Sequence, residues 1–328
     1  MRGIITEGFG LKKSFLTMIV VAVLCAVTCI ALNGCGKKTR SFQETGAEKT
    51  FAYITRDLQN DYWYDVIDGI ENGLKDGDSL IVYDCEFDVN KEYDHVEEVL
   101  NGGFDGVFFT SADYSGSEKS LEALMKIGVP VVVIDASSVV KNKADAYIET
   151  DRYQAGYQSM SALAQEMGGE GNILLFSDEA NRERADGAKA ALEEQYPKIA
   201  VLEECSLEGQ DAYQIRMTVK ETADRYPDAD GIWFMNGLAS DNGIAGLGER
   251  KILVADARSY DSSYYLIEDG LLLATTFDDP ILHGEEAVKV MYRLYADGPM
   301  DERTVGVAPV VLDKKNIHEY VTEDDSGS

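Results

Sequence analysis

At 328 residues, with 45% hydrophobic and 27% charged side chains, the chain is long enough for two domains and has an ordinary globular composition. Its formal net charge of −29 excludes one class of partner, because so acidic a surface is repelled by the phosphates of nucleic acid. The acidity itself reads as a solvated surface that keeps the protein soluble.

The first 35 residues read as a targeting segment and stand apart from the fold. Arg2, Lys12 and Lys13 precede a run from Phe15 to Leu32 that contains no charged residue, followed by Leu32-Asn33-Gly34-Cys35. This tetrapeptide resembles a bacterial lipobox, in which the cysteine is lipidated and becomes the new N-terminus; Asn33 departs from the small residue usual at its place. Left uncleaved, the same run is of a length that just spans a bilayer. Either way the remainder is expected outside the cytoplasm, and the lipobox reading anchors it through Cys35 to the outer face of a bacterial cytoplasmic membrane. Residues 36–49 are polar and charged, suited to a flexible tether. Cys25 and Cys29 lie in the apolar run, whereas Cys85 and Cys205 each end an apparent strand in different halves and are not expected to pair. There is no CxxC, and His95, His283 and His318 are scattered, so neither a zinc site nor a cofactor is expected.

From Thr50 onward short apolar runs alternate with amphipathic stretches. The runs are Phe51–Ile54, Leu80–Tyr83, Val107–Phe109, Val131–Ile134, Ile173–Phe176, Ile199–Leu202, Ile232–Phe234 and Ile252–Val254. Near-continuous aliphatic runs suit strands buried on both faces of a parallel sheet. Helical stretches such as Tyr64–Lys75, Glu118–Ile127, Tyr153–Met167 and Arg184–Tyr196 separate them, and this alternation predicts an α/β fold.

A weak internal repeat runs through the same region. Ile67-Asp68-Gly69-Ile70 pairs with Ala185-Asp186-Gly187-Ala188, Asp105-Gly106-Val107 with Asp230-Gly231-Ile232, and Ile134-Asp135-Ala136 with Ala255-Asp256-Ala257. Order is kept and the spacings are similar, which predicts two similar doubly wound parallel-sheet lobes with a cleft between them. In open parallel sheets ligands bind beyond the carboxyl ends of the strands. Asp135, Asn236, Asp256 and Asp278 follow apolar runs and are therefore candidates for the cleft, although Asp and Asn at such places also serve as helix caps.

These features together resemble the type I periplasmic binding proteins, above all their ribose, galactose and glucose binders, from about Thr50 to Asn316. Asn60-Asp61-Tyr62-Trp63-Tyr64 before Asp68-Gly69-Ile70 matches the family's first turn, and the resemblance implies ligand contacts at Asp61, Trp63 and Tyr64. It further implies contacts at Asp135 after Pro130–Ile134, at Arg184 in Arg182-Glu183-Arg184, and at Asn236, Asp256 and Asp278. A core role for Trp63 or Tyr64 stands as the alternative. Three positions depart from the family pattern: Gln210 stands in an aromatic slot, Ala136 where ribose binders carry arginine, and Asp278 where Asn or Gln is commoner.

The resemblance implies an extracytoplasmic solute-binding receptor that closes on a monosaccharide and delivers it to an ABC permease, acting as a monomer. Asp61, Asp135, Asp256 and Asp278 against Arg184 give a nominal −3 site, which disfavours anions and leaves a neutral sugar ahead of an amino sugar or other cationic solute. The competing functions are a ligand-sensing subunit for a membrane signalling partner, and a glycosidase using two carboxylates. No Ser/His/Asp order or phosphate-cradling loop supports an enzyme. The expected boundaries are 50–150 with 281–305 for one lobe and 151–280 with 306–320 for the other. The chain should cross between them near Glu149–Tyr153, Asp278–Ile281 and Thr304–Ala308, and 321–328 is expected to be a disordered tail.

Overall fold

The computed structural model describes Phe42 and residues 47–113, 117–135, 143–260 and 262–320. Cys35 with its apolar run, most of the 36–49 tether, Ala136 and the 321–328 tail lie outside the described residues.

The strands form two six-stranded sheets. The first contains β1 (Thr50–Thr55), β2 (Ser79–Asp84), β3 (Gly106–Phe109), β4 (Val131–Ile134), β5 (Ala146–Thr150) and β11 (Thr304–Val307), in the order β11-β5-β4-β3-β1-β2. The second contains β6 (Glu170–Ser177), β7 (Lys198–Ser206), β8 (Gly231–Phe234), β9 (Leu253–Asp256), β10 (Ala274–Phe277) and β12 (Val310–Asp313), in the order β12-β10-β9-β8-β6-β7. Position by position the two orders are the same, and every pairing is parallel except β10 with β12.

The helices of the first half are α1 (Asp61–Gly73), α2 (Val89–Gly102) and α3 (Glu118–Leu124). Those that follow are α4 (Arg152–Glu166), α5 (Arg182–Gln195), α6 (Ala212–Arg225), α7 (Gly237–Leu247), α8 (Ser263–Glu268) and α9 (Pro280–Asp297). The alternation of β1 shows why its sequence reads as continuously apolar. Phe51 and Tyr53 pack with Val66, Ile70 and Met291 on one face, while Ala52 and Ile54 pack with Val96, Phe104 and Leu121 on the other. The run Ile199–Leu202 behaves differently: it lies in the edge strand β7, where Val201 is 40% exposed, so only one face of it is covered.

The internal repeat has a physical basis in both halves. Helices α1 and α9 cross so closely that a Cβ at Gly69 would stand 2.2 Å from the Ile281 carbonyl oxygen. Helices α4 and α5 do the same: a Cβ at Gly187 would stand 2.0 Å from the Tyr153 carbonyl oxygen, and one at Gly156 1.8 Å from that of Arg184. The other Asp-Gly pairs tie sheets together at their amino ends. Asp105 accepts from the Thr50 N–H at 2.8 Å and Asp230 from the Asn172 N–H at 2.9 Å. Cys85 and Cys205 are buried free thiols in separate halves, and burial pushes the Cys205 thiol up to about 11.

Candidate functional site

Polar side chains gather where the carboxyl ends of both sheets approach one another. In the first half the centre is Arg56, which follows β1 directly. Its Nε donates to the Ser111 carbonyl at 2.7 Å, its Nη2 lies 3.4 Å from Asp135 Oδ2, and its guanidinium sits over the Trp63 ring, 5.2 Å from the centroid. Asp135 follows β4 with a left-handed backbone (φ 55°), a strained conformation for a residue with a Cβ, held by its N–H donating to the Ile148 carbonyl. Trp63 is buried and meets Tyr62 edge to face at 4.9 Å.

Tyr62 joins the two halves. Burial raises its phenol far above the ordinary value, and the carboxylates of Asp278 and Asp135 push the same way while Arg258 opposes them. One phenol thus feels Asp135 from its own half and Asp278 and Arg258 from the other.

In the second half Arg184 occupies the first turn of α5 and is 4% exposed. Its Nη1 donates to Asn181 Oδ1 at 2.5 Å, and its buried Nε has no partner. Burial lowers its pKa to about 10, with the Asp278 carboxylate opposing the shift. Asp278 follows β10; its Oδ2 lies 3.9 Å from Arg258 Nε, and its Oδ1 is buried without a partner. Asp256 closes β9, fully buried, accepting hydrogen bonds from the hydroxyls of Ser240 and Thr275 and from the Arg258 N–H.

Of the residues expected at the site, Trp63, Asp135, Arg184, Asp256 and Asp278 come together. Asp61 and Tyr64 do not: both are exposed on α1, Tyr64 by 50%. Tyr62 takes the inward position instead. Asn236 caps α7, accepting from the Ala239 N–H at 2.9 Å, so its side-chain oxygen serves the helix. Gln210 is engaged by the elements that flank its loop, donating to the Ser206 carbonyl at the end of β7 and accepting from the Thr218 hydroxyl on α6. Sequence reasoning missed Arg56, Tyr62 and Arg258. Arg56 carried a usable signal, since only Thr55 separates it from the apolar run Phe51–Ile54. Two added arginines and the loss of exposed Asp61 together correct the charge balance: Arg56, Arg184 and Arg258 now face Asp135, Asp256 and Asp278, and the nominal −3 site becomes neutral.

Burial raises the Asp256 carboxyl from 3.8 to about 6, against the pull of Ser240, Thr275, the Arg258 N–H and Arg184. The folded chain therefore takes up this proton at a higher pH than the unfolded chain. The resulting stability is fully present below pH 3.8 and is lost as pH rises through about 6, a difference on the order of 3 kcal/mol. Asp256→Asn is expected to flatten that part of the profile; urea melts between pH 4 and pH 7 with the same slope in both proteins would refute the assignment.

Among the described residues no group of His, Cys, Asp or Glu could hold a metal ion, and no helix is long and apolar enough to cross a membrane.

Comparison with known proteins places these features in context. Residues 51–299 match the family described as periplasmic binding protein domain. The ribose import binding protein of Bacillus subtilis is 22% identical over 281 residues, covering 82% of this chain and 90% of that protein. The D-allose-binding periplasmic protein of Escherichia coli is 20% identical over 275 residues, covering 78% and 88%. Among solved structures, an arabinose binding protein from Geobacillus stearothermophilus superposes with a TM-score of 0.67 at 19% identity, covering 84% of this chain and all of that one.

Proposed function

We propose that this chain, which belongs to the periplasmic binding protein domain family, captures a neutral monosaccharide between two closing lobes and delivers it to an ABC permease. One observation carries the choice of ligand. Arg184 Nε and Asp278 Oδ1 are a buried donor and a buried acceptor, both without partners and within electrostatic reach of each other. A sugar hydroxyl accepts and donates at once, so hydroxyls on one ring edge satisfy both atoms. The balance of three arginines against three aspartates favours a ligand without charge. Tyr62 and Trp63 supply an aromatic wall for the apolar face of a sugar ring. The relatives named for ribose and D-allose support the same class.

The moving parts are residues 50–150 with 281–307 and residues 151–280 with 308–320, linked by three crossings near 149–153, 278–281 and 308. The expected boundary at 305 moves to the end of β11, because Gly306 and Val307 pair with β5. Tyr64 and Asn236 belong to this proposal as rim contacts brought in on closure, whereas Asp61, exposed on α1, stays in solvent and outside the charge balance. The receptor works as a monomer without catalysis, held to the outer face of the membrane by lipid on Cys35. A thermal-shift screen of neutral monosaccharides, sugar alcohols, amino sugars and uronic acids tests the ligand class. At a hundredfold excess over Kd a binder stabilises the fold by about 2.7 kcal/mol, which a melting curve resolves. A neutral sugar is expected to give the largest rise; a rise confined to amines or acids, or steady hydrolysis of sugar glycosides, would overturn the proposal.

A further inference from the structure

Helix α2 carries a carboxylate that the ligand site does not use. Glu92 is fully buried, and its Oε2 accepts from the Ala112 N–H at 2.7 Å and from the Ser117 hydroxyl at 2.7 Å, while its Oε1 is buried without a partner. Among the described residues no cation pairs with it. An unpaired buried carboxylate is costly, so its place calls for a reason other than packing.

That reason lies one residue upstream. Ala112 follows Ser111, whose carbonyl receives the Arg56 Nε at 2.7 Å. The segment leaving β3 is held on one side by the Thr110 N–H donating to the Ile54 carbonyl and by the Thr110 hydroxyl paired with the Tyr53 hydroxyl at 3.0 Å. Glu92 holds the other side. The Ser111 carbonyl is thus fixed between two anchors, and it aims the guanidinium that meets Asp135 and covers Trp63.

We propose that Glu92 is a positioning residue: through Ala112 and Ser111 it sets where the Arg56 guanidinium stands, and so tunes ligand affinity without reaching the ligand. Its effect on affinity rests on the proposed sugar site, whereas its effect on Arg56 can be read with no ligand present.

The chain has two tryptophans, Trp63 and Trp233, so in a Trp233→Phe background Trp63 alone reports on the cation above it. Arg56→Ala is expected to shift Trp63 emission, and Glu92→Ala to reproduce that shift. Glu92→Gln keeps an acceptor in place and should leave the emission as in the parent. Glu92→Asp, which withdraws the acceptor by one methylene, serves where the alanine variant fails to fold, and it should shift emission in the same direction. In the Arg56→Ala/Glu92→Ala pair the shift should equal that of Arg56→Ala alone. Emission unchanged on Glu92→Ala and Glu92→Asp, or fully additive shifts, would overturn the proposal. Calorimetry with D-ribose, D-allose and D-arabinose then reads affinity: at least a fivefold loss on Glu92→Ala when Arg56 is present and none when it is absent. Coupled emission in a protein that binds none of these sugars would leave Glu92 positioning Arg56 and count against the sugar reading alone.

Discussion

Arg184→Ala is expected to lower sugar affinity at least tenfold while leaving the ligand-free protein folded and no less stable. The two halves of that expectation come from one geometry. A hydrogen bond from a charged donor contributes about 1.5–3 kcal/mol, and tenfold in affinity corresponds to about 1.4 kcal/mol, so the loss of a single Arg184 contact suffices. Without ligand the same guanidinium is costly: it is 4% exposed, its Nε has no partner, and burial lowers its pKa to about 10. Its removal relieves that desolvation, although Asp278 loses a neighbouring positive charge. Affinity and stability should therefore part company. Arg184→Lys restores a charge without the planar fork and should recover only part of the affinity. Calorimetry showing unchanged affinity in Arg184→Ala would remove this residue from the site.

Much of the architecture was legible because parallel strands buried on both faces have no alternative but continuous apolar runs, and β1, β3, β4 and β8 carry such runs. Strands β5, β11 and β12 escaped because they are short, lie at or near a sheet edge, and include half-buried or exposed residues such as Glu149 and Thr304. At the site, the rule that ligands meet the carboxyl ends of strands selected Asp135, Asp256 and Asp278. Arg56 escaped that rule because Thr55 separates it from the apolar run Phe51–Ile54, whereas Asp135 follows its run at once. The choice between Tyr62 and Tyr64 was decidable in principle. Asp61, Tyr64, Asp68 and Glu71 recur at spacings of three and four and share one exposed stripe of α1, whereas Tyr62 shares its stripe with Val66, Gly69 and Ile70. What no sequence pattern revealed is that Arg184 Nε and Asp278 Oδ1 are left open, since that depends on which partners two separate loops withhold.

Gly156→Ala is expected to be among the most destabilising single changes in the second half, although alanine is the better helix former. The propensity gain is about 1 kcal/mol at an interior position. Against it stands a new Cβ 1.8 Å from the Arg184 carbonyl oxygen, a backbone atom that cannot rotate away. Helices α4 and α5 must separate, and because Gly187 presses on the Tyr153 carbonyl in the same interface, they cannot pivot about one crossing point without opening the other. Overpacking of this kind costs about 1–3 kcal/mol or more and outweighs the propensity term. The damage should also reach function, because the atom displaced belongs to Arg184 and its movement carries the guanidinium away from Asp278. Urea melts should show a lower midpoint for Gly156→Ala, and calorimetry a weaker sugar complex even at temperatures where the variant is fully folded. A variant as stable as the parent would mean that the two helices slide apart freely, and the close crossing would then have no part in holding Arg184 at the site.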